Sequence, residues 1–273
     1  MTTTPDPPDS RMVRVEVEVP ATPEQVWEAI ATGPGIAAWF VPAEVEEREG
    51  GEIVTHHGPF GASRGVVTRW EPPHRFAYEE RDWSDRADAP PWATEILVEA
   101  RAGGTCVVRL ASGFQAGGEG WEDELVGTDE GWRDGMQHLR IYLTHFAGQP
   151  TTALLLHRES DAPADELWRE LIAALALDDL AVGQRRAVGG DAPPLSGIVE
   201  EVEPLKAMIR TDAPGPGVVD LGVHQWGGRT HLFVRGYLYG DGGEAVRAAA
   251  EPAWEAWLDA RFPEARRTEA PPA

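Results

Sequence analysis

Cysteine and basic side chains are what this chain has least of. A single cysteine among 273 residues, Cys106, excludes an intrachain disulfide framework and any cysteine-clustered zinc site. Lys and Arg together number 24 against 46 Asp and Glu, a net charge of −22. Nucleic acid and anionic membrane surfaces both demand basic patches, so this balance argues against either as a partner. The acidity belongs to the whole surface: residues 1–150 carry 12 basic and 26 acidic side chains, and residues 151–273 carry 12 and 20. No uncharged apolar run approaches the roughly 18 residues of a membrane span, so no membrane insertion is expected. The opening MTTTPDPPDS has neither the basic nor the apolar region of a secretory signal, and a reduced, cytoplasmic setting is the expectation.

Chemistry-bearing motifs are equally sparse. There is no Gly-x-Ser-x-Gly elbow, no Walker loop and no dinucleotide fingerprint. Cys106 lies in an apolar strand, where burial raises a thiol's pKa rather than activating it. The Gly-rich stretch Gly113–Gly120 is flanked by Glu119, Glu122, Asp123 and Glu124, which would repel phosphates, and is expected to be a loop. His138 and His145 are seven residues apart on a helix, too far for i, i+4 chelation, and the adjacent His56 and His57 point to opposite faces of a strand. No metal site and no cofactor are expected.

What is present is enough apolar material, 42% of the residues, for ordinary cores, and enough length for two of them. Val13, Val15, Val17 and Val19 alternate with Arg14, Glu16 and Glu18, a strand with one wet face. Thr22, Pro23 and Glu24 then supply the N-cap, first position and acidic first turn of a helix. A second short helix, 36–40, precedes strand candidates at 43–48, 52–57, 65–70, 75–81, 94–101 and 105–111, with Gly and Pro pairs between neighbours. Residues 129–146 place Trp132, Met136, Leu139, Leu143 and Phe146 on one helical stripe. A single antiparallel sheet needs one face covered, and this helix is the obvious cover.

After Pro150 the pattern restarts. Pro20–Trp27 parallels Asp161–Trp168, and Gly65-Val-Val-Thr-Arg-Trp-Glu-Pro72 parallels Gly197-Ile-Val-Glu-Glu-Val-Glu-Pro204. Strands at 207–211, 217–225 and 230–239 and a closing helix at 243–262 follow in the same order as in the first half. Residues 181–194 stand where the first two meander strands of the repeat would fall, with little strand signal. The expected organisation is α+β with two domains, 11–149 and a shorter, divergent 150–265, between tails at 1–10 and 266–273.

The segments Val19–Trp27, Ile36–Phe40, Glu49–Glu52, Gly65–Pro73, Ser112-Gly-Phe114 and Gly131–Leu143, in this order, resemble the START-like (SRPBCC) superfamily. Within it they resemble the group of activator of Hsp90 ATPase homologues. The resemblance implies a helix-grip fold in each half, an antiparallel sheet curled around a long C-terminal helix with a cavity between them. Domains of this kind bind lipids, hormones or polyketides, cyclise polyketides, resist reactive antibiotics, or stimulate a chaperone ATPase, and fold alone does not choose among these. Binding of a hydrophobic small molecule without catalysis is the first expectation. A chaperone-linked or regulatory interaction, with a protein partner or a homodimer, is the second. A cyclase-like or hydrolytic enzyme using His57, Tyr78 or Glu80 is the third.

The ligand-facing residues expected on that reading are spread along the first half. Trp39 and Phe40 come from the second helix, and Trp132, Met136 and Leu139 from the long one, although helical spacing also makes Trp27 and Trp132 ordinary core. Trp83 and Trp92 sit in or beside a Ser-, Asp- and Pro-rich loop where no periodicity calls for an aromatic. Phe114 ends the Ser-Gly-Phe motif, and His57 is a possible hydrogen-bonding or acid–base group. The alternation Phe76, Tyr78, Glu80 turns all three to the concave face, where the Glu80 carboxylate needs Arg109 or a cation of the ligand as its partner. The shortened second domain is expected to pack through Trp254, Trp257 and Phe262 against the first.

Overall fold

The computed structural model describes residues 11–58, 61–81, 83, 84, 86, 89–114, 120–226 and 228–263. Both expected tails, the centre of the Gly113–Gly120 loop and part of the loop before Trp92 lie outside the described residues. The chain divides between Gly148 and Gln149 into two compact units.

The first unit runs β1 (Arg11–Val19), α1 (Pro23–Ala31), α2 (Gly33–Ala37), β2 (Ala43–Val45), β3 (Glu52–His56), β4 (Ala62–Glu71), β5 (Arg75–Glu80), β6 (Trp92–Ala100), β7 (Cys106–Phe114) and α3 (Glu122–His145). Its seven strands form one antiparallel sheet in the order β1-β7-β6-β5-β4-β3-β2. The elements start where their local chemistry says they should. At α1 the Thr22 hydroxyl accepts from Gln25 N at 3.3 Å while the Gln25 carbonyl oxygen Oε1 accepts from Thr22 N at 2.9 Å, a reciprocal capping box. The turn between β6 and β7 carries Gly103 and Gly104 at φ of 91° and 81°, a left-handed region that side-chain-bearing residues avoid.

Pairing register decides which residues share a face, because side chains alternate along each strand. Phe76 lies opposite Ile96, which lies opposite Leu110 and then Val15; Tyr78 lies opposite Thr94, then Ser112, then Val13. These rows form the inner face, toward α1 and α3. Glu16, Glu99 and Arg109 are on the other, solvent-facing side. Under the inner face Trp27 meets Trp70 edge-on with centroids 5.0 Å apart and Phe76 at 6.4 Å. On α3 the predicted stripe is buried: Trp132, Met136, Leu139, Leu143 and Phe146.

The second unit repeats the plan: β8 (Thr151–Ser160), α4 (Ala164–Ala174), β9 (Arg185–Ala187), β10 (Ser196–Glu203), β11 (Lys206–Ala213), β12 (Gly217–Trp226), β13 (Arg229–Tyr239) and α5 (Gly243–Arg261). The sheet order β8-β13-β12-β11-β10-β9 again pairs the first strand with the last. The stretch after α4 keeps one three-residue strand, β9, held on the edge by β10, so one meander strand is shortened rather than both lost. Trp254, Trp257 and Phe262 do not stand out as a docking surface. They sit in this unit's own core with Leu154, Leu156, Leu221, Leu232 and Val234, because α5 turns its apolar side onto its own sheet. No helix among the described residues is long and apolar enough to cross a membrane.

Phe76 has no solvent exposure and joins Trp27, Trp70 and Tyr78. Phe76→Ala is expected to destabilise the first unit by about 3–5 kcal/mol. Urea denaturation followed by tryptophan fluorescence measures this, and a loss below about 1 kcal/mol would contradict the packing described.

Candidate functional site

The inner face of the first sheet is apolar at its middle and polar near one end. Glu80 ends β5 with Gly65 of β4 on one side and Trp92 of β6 on the other. A Cβ built on Gly65 would come within 3.0 Å of Glu80 Cγ and 2.7 Å of Glu79 O, so glycine there makes room for the Glu80 stem. Thr55 and Ser63 face each other across β3 and β4, on the same side as Gly65. His57, two residues beyond Thr55, places Nε2 3.1 Å from Thr55 Oγ1. Thr55 therefore stands between an imidazole and a carboxyl group, with His57 and Glu80 both half-buried.

Electrostatics follow from this placement. Burial raises the pKa of Glu80, and the hydroxyls of Ser63 and Thr55 only partly oppose that. The Ser63 hydroxyl is the larger of the two opposing groups, hydrogen-bonding toward the Glu80 carboxyl from an enclosed position. Burial also lowers the pKa of His57, helped by the neighbouring His56, which keeps the ring neutral near pH 7. Tyr78 is buried beside Glu80; desolvation and then the nearby carboxyl push its hydroxyl pKa far up, against a smaller opposing contribution from Thr94. Thr94 Oγ1 lies 2.8 Å from Ser112 Oγ, which accepts from Trp92 Nε1 at 2.8 Å. Burial raises the Cys106 thiol as expected, and it takes no part here.

Aromatic groups flank the polar strip on both sides. On one, Phe40 stacks on Trp132 at 4.7 Å with 19° between planes and meets His57 edge-on at 6.1 Å. Trp39 beside it is buried and donates Nε1 to Ala29 O at 2.9 Å, so it anchors α2 to α1. On the other, Trp83 lies 5.2 Å from Trp92 and 4.8 Å from Trp121, and Phe114 lies 4.7 Å from Trp92. Trp83 also donates Nε1 to Pro90 O at 2.9 Å, which ties its loop to the cluster. Met136 and Leu139 are buried on the same α3 stripe as Trp132.

Arg109 is not part of this arrangement. It lies on the outer face, donating Nε to Glu16 at 2.5 Å and Nη1 to Glu99 at 2.5 Å, because its register partners alternate away from Glu80. Thr55, Ser63, Thr94, Ser112 and Trp121 were not singled out from sequence. Extending the alternation from His57 back to Thr55, and from Phe114 back to Ser112, would have found two of them; Trp121 carries no periodic signal. Two open clefts lie elsewhere, both in the second unit. One, about 430 Å³, is apolar and lies between α5 (Ala245, Val246, Ala249, Trp254) and Pro193, Pro194 and Pro214. The other, about 420 Å³, is an open polar cleft beside Arg158, Glu255 and Asp259.

An antiparallel sheet whose first strand pairs with its last, followed by a long C-terminal helix, is the START-like helix-grip arrangement, and both units show it. Residues 20–144, within the first unit, match the family described as activator of Hsp90 ATPase homolog 1-like protein. Among solved structures, the di-domain ARO/CYC protein BexL from the BE-7585A biosynthetic pathway is 14% identical, covering 93% of this chain and 94% of its own at a TM-score of 0.43. DynU16, from the dynemicin biosynthetic locus, is 16% identical, with coverage of 90% and 94% and a TM-score of 0.42. CalU16 from Micromonospora echinospora is 20% identical, covering 49% of this chain and 76% of its own at 0.40. No curated protein matches the chain.

A carboxyl group whose pKa is raised in the fold adds stability at low pH that is lost as pH rises through its folded value. Glu80→Gln removes that dependence. The variant is expected to melt above the wild type near about pH 8, by on the order of 1 kcal/mol, with the gap closing toward about pH 4. Parallel melting curves across this range would show that Glu80 is not desolvated.

Proposed function

We propose that the first unit binds a hydrophobic small molecule, a lipid or a flat aromatic of polyketide type, on the inner face of its sheet and does not transform it. The observation that carries this reading is the polar strip of Glu80, Thr55, Ser63 and His57 set between two aromatic groups. Ligand sites are mostly apolar and aromatic with a few polar groups that fix orientation. Structural cores have no use for a carboxyl group without a cation, since it costs free energy when buried.

Proton-transfer chemistry of cyclase type is the second reading, and one observation favours it: the Thr55 hydroxyl lies between His57 and Glu80. A neutral imidazole and a carboxyl of raised pKa are an acid–base couple in reach of one hydroxyl.

Native mass spectrometry and thermal shift of the full chain against lipids and aromatic polyketides test the first reading. A one-to-one adduct with a raised melting temperature is expected, and Trp92→Phe, which keeps an aromatic ring but shrinks it and removes the N–H that holds Ser112, should weaken it by about tenfold. Turnover of the bound compound that is lost in His57→Gln would favour the second reading, and binding unaffected by Trp92→Phe would remove the site from this face.

A further inference from the structure

We infer that the ligand of the first unit carries a positive charge, an amine-bearing aromatic or aliphatic molecule whose ammonium group pairs with Glu80. The inference rests on the binding reading above and names the ligand class for that site. Its starting point is the missing counter-ion. Arg109, the one basic residue the strand order made available from sequence, is held by Glu16 and Glu99 on the opposite face. Arg81, next to Glu80 in sequence, Arg75 on the same strand, and Arg64, next to the register partner Gly65, are engaged by Glu79, Glu95 and Glu52. Among the described residues no Lys or Arg forms an ion pair with Glu80. The internal residues of this unit outside the described set, at 59, 60, 82, 85, 87, 88 and 115–119, include no Lys, Arg or His.

Three further features fit a cation, and the last two disfavour an anion. Ser63 is 8% exposed, and its enclosed hydroxyl, directed at the Glu80 carboxyl, keeps acceptor capacity for an N–H donor held between the two. The aromatic faces beside Glu80 suit a cation, because ring quadrupoles attract positive charge. One cation already uses them: Arg86 stacks its guanidinium over Trp121 with 3.9 Å to the ring centre. The unit as a whole is acidic, which raises the local concentration of cations and lowers that of anions.

Three probes of one shape separate charge from apolar fit: 2-naphthylmethylamine, 2-naphthylmethanol and 2-naphthoate. Isothermal titration of the full chain is expected to show the amine binding at least about tenfold tighter than the alcohol, with the carboxylate weakest. Glu80→Gln should abolish the preference, so that the amine and the alcohol bind it within about twofold of each other. Glu80→Asp, which keeps the charge, should retain the preference, and circular dichroism with melting curves establishes that both variants fold. Alcohol binding as tight as amine binding, or an amine preference that survives Glu80→Gln, overturns the inference and leaves small-molecule binding standing. Failure of all three probes overturns the inference, and if no neutral lipid or polyketide binds either, the binding reading falls with it.

Discussion

In each unit the first strand pairs with the last, β1 with β7 and β8 with β13, and the rest of the architecture depends on that pairing. Without it the last strand of the meander would itself be an unpaired edge and the N-terminal strand would have no sheet to join. Bringing the N-terminal strand back beside the final one puts the chain's C-terminal end at the same side of the sheet. The long helix that follows the last strand then has one apolar face available to it, the inner one. Val13, Leu110, Phe76 and Ile96 are buried there, while Glu16, Glu99 and Arg109 stay in water.

The same alternation that builds the core also generates the site. Phe76, Tyr78 and Glu80 are successive inward residues of one strand, so a carboxyl group at the third position is turned toward the interior whether or not a partner awaits it. Near the end of the strand the interior passes from Phe76 and Tyr78, buried, to Glu80, half-buried among Thr55, Ser63 and Trp92. Burial raises the carboxyl pKa at this position and lowers that of His57 nearby, two titratable groups moved in opposite directions by one cause, desolvation.

The two copies show what the fold tolerates. Gly65 and Gly197, at matching places in the repeated Gly-hydrophobic-Val turn, both lie where a Cβ would strike the backbone of the next strand, 2.7 Å from Glu79 O and 2.0 Å from Arg210 O. First-to-last strand pairing and helix cover survive in the second unit with the outer meander reduced to β9, because the edge strands contribute least to covering the core. The repeated glycine is a backbone requirement, which is why it could be recognised at low overall identity.

Element order, the capping box at Thr22, the buried stripe of α3 and the inward set Phe76, Tyr78 and Glu80 were legible in the sequence, because each is a local or periodic property of the chain. The alternation of Arg109 was legible too, but not which strand would lie beside it; only the pairing of β7 with β1 and β6 put Glu16 and Glu99 within its reach. Ser63 and Trp121 carried no signal of their own, and Trp254, Trp257 and Phe262 fill their own unit's core rather than the surface expected for them, since an apolar stripe says that something covers it and not what. Sequence alone determined which residues could face inward, through the periods of strand and helix. Tertiary structure decided which of them meet, because strand register and loop closure bring together side chains that no local periodicity relates.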